Sequence, residues 1–174
     1  MPLKPFMIRP ERIQDHSAIR RVNERAFAQS GEAELVDDLH KACDSLIALV
    51  ACDGEDVIGH ILFSPLQIIA DDSIVNALGL APLAVLPEYH GQGVGSLLVR
   101  SGLDTCRAAG HSIVVVLGHA AYYPRFGFKA ASQYGIRWEQ DAPDEAFMIT
   151  ELQAHALHGV HGIVKFHPAF DRFS

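Results

Sequence analysis

Leu83-Ala84-Val85-Leu86-Pro87-Glu88-Tyr89-His90-Gly91-Gln92-Gly93-Val94-Gly95-Ser96 is the stretch whose reading decides the fold. An apolar strand pattern, Ala77 to Leu86, stops at Pro87. A helical pattern then runs from Gly93 to Ala109, with Val94, Leu98, Val99, Leu103 and Cys106 on one face. Between the two stand glycines at alternate positions, where a backbone without Cβ atoms can curl tightly and approach a ligand closely. The first N–H groups of a helix have no internal partner, and the helix dipole adds positive character, so an anion is the natural guest. The dinucleotide fingerprint G-x-G-x-x-G fails, because its third glycine position, read from Gly91, falls on Ser96. A P-loop fails for want of a lysine. By glycine spacing alone, the turn is either an anion cradle or a tight strand-to-helix connection without a ligand.

Working outward, Arg107 in the last turn and Gly110 mark the end of the helix. Ile113 to Leu117 is a continuous apolar, β-branched run, the mark of a strand buried on both faces. Strand, helix, strand at this length predicts a βαβ unit with parallel strands. Upstream, Leu46 to Cys52 and Val57 to Ile69 flank Asp53-Gly54 and read as a hairpin. Two helices are predicted before it, over Glu11 to Ala28 and Glu34 to Ala42, broken at Gly31. Downstream, His119 to Phe126 reads as a short helical turn. Phe128 onward, Phe147 to Leu152 and Gly159 to Phe166 read as strands, with a loop over Tyr134 to Glu145. The order predicts an α+β fold around one mixed sheet, in a single domain over residues 1–174.

A formal net charge of −7 argues against nucleic acid as partner. No apolar run reaches membrane-spanning length, and Met1 to Pro10 lacks the core of a signal peptide. Cys43, Cys52 and Cys106 are odd in number and widely spaced, which fits free thiols and a cytoplasmic location. His155, His158 and His161 recur every third residue, but Gly159 and Gly162 interrupt any helix that would align them, and no metal site is expected.

The run Leu83-x-Val85-x-Pro87-Glu88-Tyr89-His90-Gly91-Gln92-Gly93-Val94-Gly95 resembles the acetyl-CoA motif of the GNAT superfamily of N-acetyltransferases, [Q/R]-x-x-G-x-[G/A]. Tyr123-Pro124-Arg125-Phe126-Gly127-Phe128 resembles the family's Tyr-x-x-x-Gly-Phe signature. His60-Ile61-Leu62-Phe63-Ser64-Pro65 and Val116-Leu117-Gly118-His119 point to the bacterial YhbS-like subgroup. The resemblance implies a mixed, mostly antiparallel sheet with a central splayed parallel strand pair, flanked by helices. It implies direct transfer of an acetyl group from acetyl-CoA, as co-substrate, to a primary amine of a small molecule or peptide.

Carried onto this chain, the pantetheine arm pairs with the edge formed by Leu83, Ala84 and Val85. The pyrophosphate sits on the amides of Gln92, Gly93, Val94, Gly95 and Ser96, after His90 and Gly91, and Arg125 reaches the phosphates. Tyr123 matches the family's general acid, with Tyr122 adjacent. His119 is the leading candidate for the base, ahead of Glu88 and His60, since an imidazole titrates near neutrality, with a water chain as the alternative. The acidic cluster Glu32, Glu34, Asp37 and Asp38 reads as a solvated helix face or an attraction for the amine. Two positions depart from the family pattern. His90 stands where Gln or Arg is usual, which implies weaker or pH-sensitive coenzyme affinity, and no asparagine precedes the active-site turn. A homodimer is expected from the resemblance. The rival readings are a non-catalytic acyl-CoA-binding or sensing module, which binds without turnover, and a nucleotide-binding regulatory domain, which the glycine spacing opposes.

Overall fold

The computed structural model describes residues 5–173. The part of the N-terminal reading that falls on residues 1–4 lies outside the described residues. The chain forms two compact units. One runs to Phe63 and resumes over Ala81–Gly102; the other comprises Ser64–Leu80 and everything from Leu103 onward. In strand order the sheet reads β1-β2-β3-β4-β5-β8-β6, with β9 also on β3 and β7 on β9, and strands β3 and β4 contribute to both units.

In the first unit, β1 (Met7–Pro10) pairs antiparallel with β2 (Ile47–Asp53), which pairs antiparallel with β3 (Asp56–Ala70). Helices α1 (His16–Phe27) and α2 (Gly31–Ala42) bury Ile19, Val22, Leu35, Val36 and Leu39. Helix α3 (Val94–Ala108) buries Val94, Leu98 and Val99. It approaches β3 closely enough that a Cβ on Gly102 would stand 2.6 Å from the Phe63 ring, so only glycine fits there.

The second unit holds the later part of β3 and the start of β4 (Ser73–Val85). There β3 pairs antiparallel with β9 (Gly162–Lys165), and β4 pairs parallel with β5 (Ile113–Leu117). On β5 lies β8 (Phe147–Glu151), antiparallel, and on β8 the two-residue β6 (Lys129–Ala130). Leu66, Ile68, Ile113, Val115, Ile149 and Val164 anchor its core. The predicted burial of β5 holds for Ile113 to Val116, and its pairing with β4 is parallel as the βαβ reading requires.

Three expectations change. The first predicted helix starts late: Ile13–Asp15 is a separate 3-10 turn, and Ile13, expected in the core, is 84% exposed. Asp15 causes this by accepting from the Arg12 amide at 2.7 Å, with Arg12 extended. Gly31 does not break the second helix but begins it; the break falls at Ala28, whose φ of 54° ends α1. The expected loop over Tyr134 to Glu145 contains β7 (Ile136–Trp138), a strand made by pairing parallel with β9 rather than by any local pattern.

Asp15 is nearly buried and receives both Arg9 guanidinium nitrogens, at 2.7 and 2.9 Å. Those hydrogen bonds outweigh the effect of burial and hold its carboxyl below the usual carboxylate range. Asp15→Asn is therefore expected to cost about 2 kcal/mol at pH 7 in urea unfolding. A depressed folded-state pKa contributes stability above the unfolded value, lost as pH falls through the folded one. Wild type and variant should thus converge below about pH 4, and a gap that stays constant down to pH 3 would remove the ion pair as the cause.

Candidate active site

In the first unit, β4 ends at Val85, Pro87–Tyr89 makes one 3-10 turn, and α3 begins at Val94. The Leu86 amide donates to the Ile58 carbonyl at 2.9 Å, and the Tyr89 hydroxyl to Asp53 at 2.8 Å, so the turn is tied at both ends. Gly91 and Gly93 have φ of 75° and 82°, the left-handed region that favours glycine. A Cβ on either would meet nothing within 4 Å. The glycines are required by backbone angle, and they border open space. The first hydrogen bond into α3 runs from the Leu97 amide to the Gly93 carbonyl, 3.0 Å. The amides of Val94, Gly95 and Ser96 consequently have no acceptor within the helix. This arrangement fits a pyrophosphate.

His90 is exposed, and its Nε2 donates to the Val85 carbonyl at 2.8 Å. It therefore braces the end of β4 as well as standing at the first motif position. Leu83 and Val85 are half-buried and Ala84 is buried. Parallel pairing of β4 with β5 covers Leu78↔Val114 and Gly79↔Val115, while β4 continues to Val85. The backbone of Leu83 to Val85 is thus outside that ladder. Glu88 is exposed and occupied by Arg25 in a two-pronged ion pair, 2.6 and 2.9 Å. His60, another weighed base, has no exposed surface, which closes it to a substrate amine.

In the second unit, β5 leads through Gly118 to the turn Tyr123–Phe126. His119 is exposed, and its carbonyl accepts from the amides of Tyr122 and Tyr123. Tyr123 is 7% exposed, edge-on to Tyr122 at 5.1 Å and to Phe128 at 5.6 Å. Its ring lies so close over Gly118 that a Cβ there would collide with it. Burial, with the neighbouring Tyr122 adding to it, pushes the Tyr123 phenol above its ordinary pKa, so the group stays protonated. Tyr122 is half-buried with Arg125 stacked 4.8 Å over its face.

The acidic cluster on α2 is partnered: Glu32 accepts from Gln29, Glu34 from Ser30, and Asp37 from Arg20. His155 and His158 lie in an exposed turn and exposed His161 just after it, none of them on a helix. A group with metal-binding geometry does exist where no sequence spacing announced it, at Glu11, His16 and His40.

The glycine turn before α3, the β4–α3–β5 order and the buried tyrosine turn define a GNAT-type acetyltransferase. Residues 7–131 match the acetyltransferase (GNAT) domain, and the chain belongs to that family, whose co-substrate is acetyl-CoA. It is 39% identical over 169 residues to the uncharacterized N-acetyltransferase YhbS of Escherichia coli, covering 97% of this chain and all of that one. With the uncharacterized N-acetyltransferase YjhQ of E. coli it shares 46% over 151 residues, 82% of each chain. The crystal structure of E. coli YhbS in complex with CoA superposes with a TM-score of 0.92, at 38% identity over 100% of this chain and 96% of that one. A Brucella melitensis GNAT acetyltransferase in complex with acetyl-CoA gives 0.79 at 36% identity, over 97% of this chain and 99% of that one. Among the described residues no helix is long and apolar enough to cross a membrane.

Proposed function

We propose that this chain transfers an acetyl group from acetyl-CoA to a primary amine of a small molecule or peptide by direct attack. The observation that carries the reading is the turn at Gly91 and Gly93, bordering open space and followed by three helical amides without internal acceptors. Acetyl-CoA supplies the activated thioester. Gln92 to Ser96 bind its pyrophosphate through backbone N–H groups, with Arg125 adding charge to the phosphates. The backbone of Leu83 to Val85, outside the β4–β5 ladder, pairs with the pantetheine arm, and one of its N–H groups donates to the thioester oxygen. Such a preorganised donor contributes about 3 kcal/mol to the transition state.

His119 accepts the proton lost by the amine as its nitrogen bonds to the acetyl carbon. Tyr123 gives the proton on Oη to the departing sulfur as the C–S bond breaks. Burial keeps that proton on Oη until the thiolate forms. His90 binds through its brace on Val85, so its place in the motif is to hold the strand end on which the arm pairs.

The test is the thermal midpoint with acetyl-CoA, against NAD and ATP, followed by an amine screen. At 100 times its dissociation constant a ligand stabilises by about 2.7 kcal/mol, a shift of several degrees at this size. A shift with acetyl-CoA and turnover with an amine is the expected result. Binding without turnover on any amine would favour a sensing module, and no shift would remove acetyl-CoA from the assignment.

A further inference from the structure

Away from the glycine turn, the first unit holds a cluster with a different chemistry. Glu11 follows β1, fixed by its amide to the Ala48 carbonyl at 3.0 Å, and its side chain is 14% exposed. Its Oε1 faces His60 Nε2 at 3.2 Å. Its Oε2 faces two further imidazoles: His40 Nε2, from the last turn of α2, at 2.6 Å, and His16 Nε2, from the first turn of α1, at 3.1 Å. The donor atoms of Glu11, His16 and His40 lie within 4.8 Å of one another.

Asn23 fixes the tautomer of His60. The Asn23 amide nitrogen donates to the Ile19 carbonyl at 3.0 Å and reaches His60 Nδ1 at 3.4 Å, so Nδ1 accepts and the Nε2–H points at Glu11. Among the described residues the ion-pair partners of Glu11 are histidines alone. A carboxylate only 14% exposed thus meets imidazoles and, among the described residues, no lysine or arginine, and a cation on the Oε2 side supplies the missing charge.

We propose that Glu11 Oε2, His16 Nε2 and His40 Nε2 form a binding site for a divalent transition-metal ion of the zinc class, with His60 as a positioning residue. Two imidazoles and a carboxylate suit zinc-like ions and not magnesium or calcium, which prefer oxygen ligands. The Nε2–H of His60 holds Oε1, leaving Oε2 for the ion, as the outer partners of metal-binding carboxylates do. Tetrahedral bonds of zinc length place neighbouring ligand atoms about 3.3 Å apart. Each Oε2–Nε2 gap here opens by less than about 1 Å to reach that. The His16 and His40 rings stack at 4.1 Å and 13°, so their lone pairs converge only when one ring turns. His16, 39% exposed at the helix start, is the ring with room to do so. Three protein ligands leave a fourth position for water, and the ion ties the end of β1 to α1 and α2.

The full-length protein, stripped with a chelator and then dialysed, is titrated with Zn²⁺ against a chromogenic chelator and separately with Co²⁺, whose visible absorption reports coordination geometry. One equivalent of each is expected, with the d–d bands of a tetrahedral site. Saturating Zn²⁺ should raise the thermal midpoint by about 5 °C, and Mg²⁺ should not. His16→Ala, chosen because its side chain is the most exposed of the cluster, should lose the Co²⁺ spectrum. His60→Gln, which keeps an N–H donor, should weaken Zn²⁺ by about 10-fold and alter the spectrum. Absence of a bound equivalent, or an unchanged spectrum and affinity in His16→Ala, overturns the proposal. The latter would move the ion to surface histidines such as His155.

Discussion

Replacing Tyr123 by Phe is expected to lower kcat by about 10²- to 10⁴-fold, the usual contribution of a positioned acid. The fold should not notice. The ring contacts with Tyr122 and Phe128 and the close approach over Gly118 involve carbon atoms that phenylalanine keeps. Acetyl-CoA should still raise the thermal midpoint, since the variant loses the proton donor and not the phosphate cradle. That split between intact binding and lost turnover is what a merely structural tyrosine would not give. Tyr122→Phe is the control for a one-residue error in placement. Tyr122 is half-buried with Arg125 over its face, whereas Tyr123 is the buried one of the pair. If Tyr123→Phe turns over the best amine from the screen at a rate within twofold of wild type, the acid is another group. A fall in Tyr122→Phe alone would shift the role by one position.

The readable parts of the chain were those where one local rule dominates. The β5 run Ile113 to Leu117 has no polar residue, and burial on both faces follows from composition for Ile113 to Val116, while Leu117 at the strand's end is 43% exposed. The turn over Gly91 and Gly93 was legible because only glycine adopts such angles without strain, and the angles are indeed left-handed. Strand β7 was invisible for the opposite reason. Three residues carry no period, and Ile136 to Trp138 become a strand only because β9 arrives beside them. The start of α1 was misplaced because one carboxylate, Asp15, overrode the helical spacing by holding the Arg12 amide and the Arg9 guanidinium. In the candidate site, the tyrosine was marked by its motif, but its burial against Gly118 is a packing fact. The Glu11, His16, His40 and His60 cluster joins three elements and the residue that follows β1, across distances in sequence that no spacing rule connects. Where function depends on residues that meet through the fold, a motif search reads only the member that belongs to a motif.

Gly93→Val is expected to remove acetyl-CoA binding while leaving a folded protein. At φ of 82° a side chain strains the backbone, at a cost of about 1–2 kcal/mol, somewhat more for a β-branched residue. That is within what a domain of this size tolerates. Packing adds nothing to the cost, because a Cβ at Gly93 meets no atom within 4 Å. The open space it fills is where the proposed cradle receives the pyrophosphate, and relief of the strain would turn the Val94 and Gly95 amides away from it. Affinity for acetyl-CoA should fall by more than about 100-fold, enough to abolish the midpoint shift of several degrees expected of wild type. Gly54→Val separates the two causes. Gly54 also has a positive φ, 61°, and equally open surroundings, but it sits in the β2–β3 turn outside the cradle. It should pay a similar backbone penalty and keep the full acetyl-CoA shift. Equal loss of the shift in both variants would trace the effect to general destabilisation. Loss in Gly93→Val alone assigns it to the turn itself, and a full shift in Gly93→Val would place the coenzyme phosphates elsewhere on the protein.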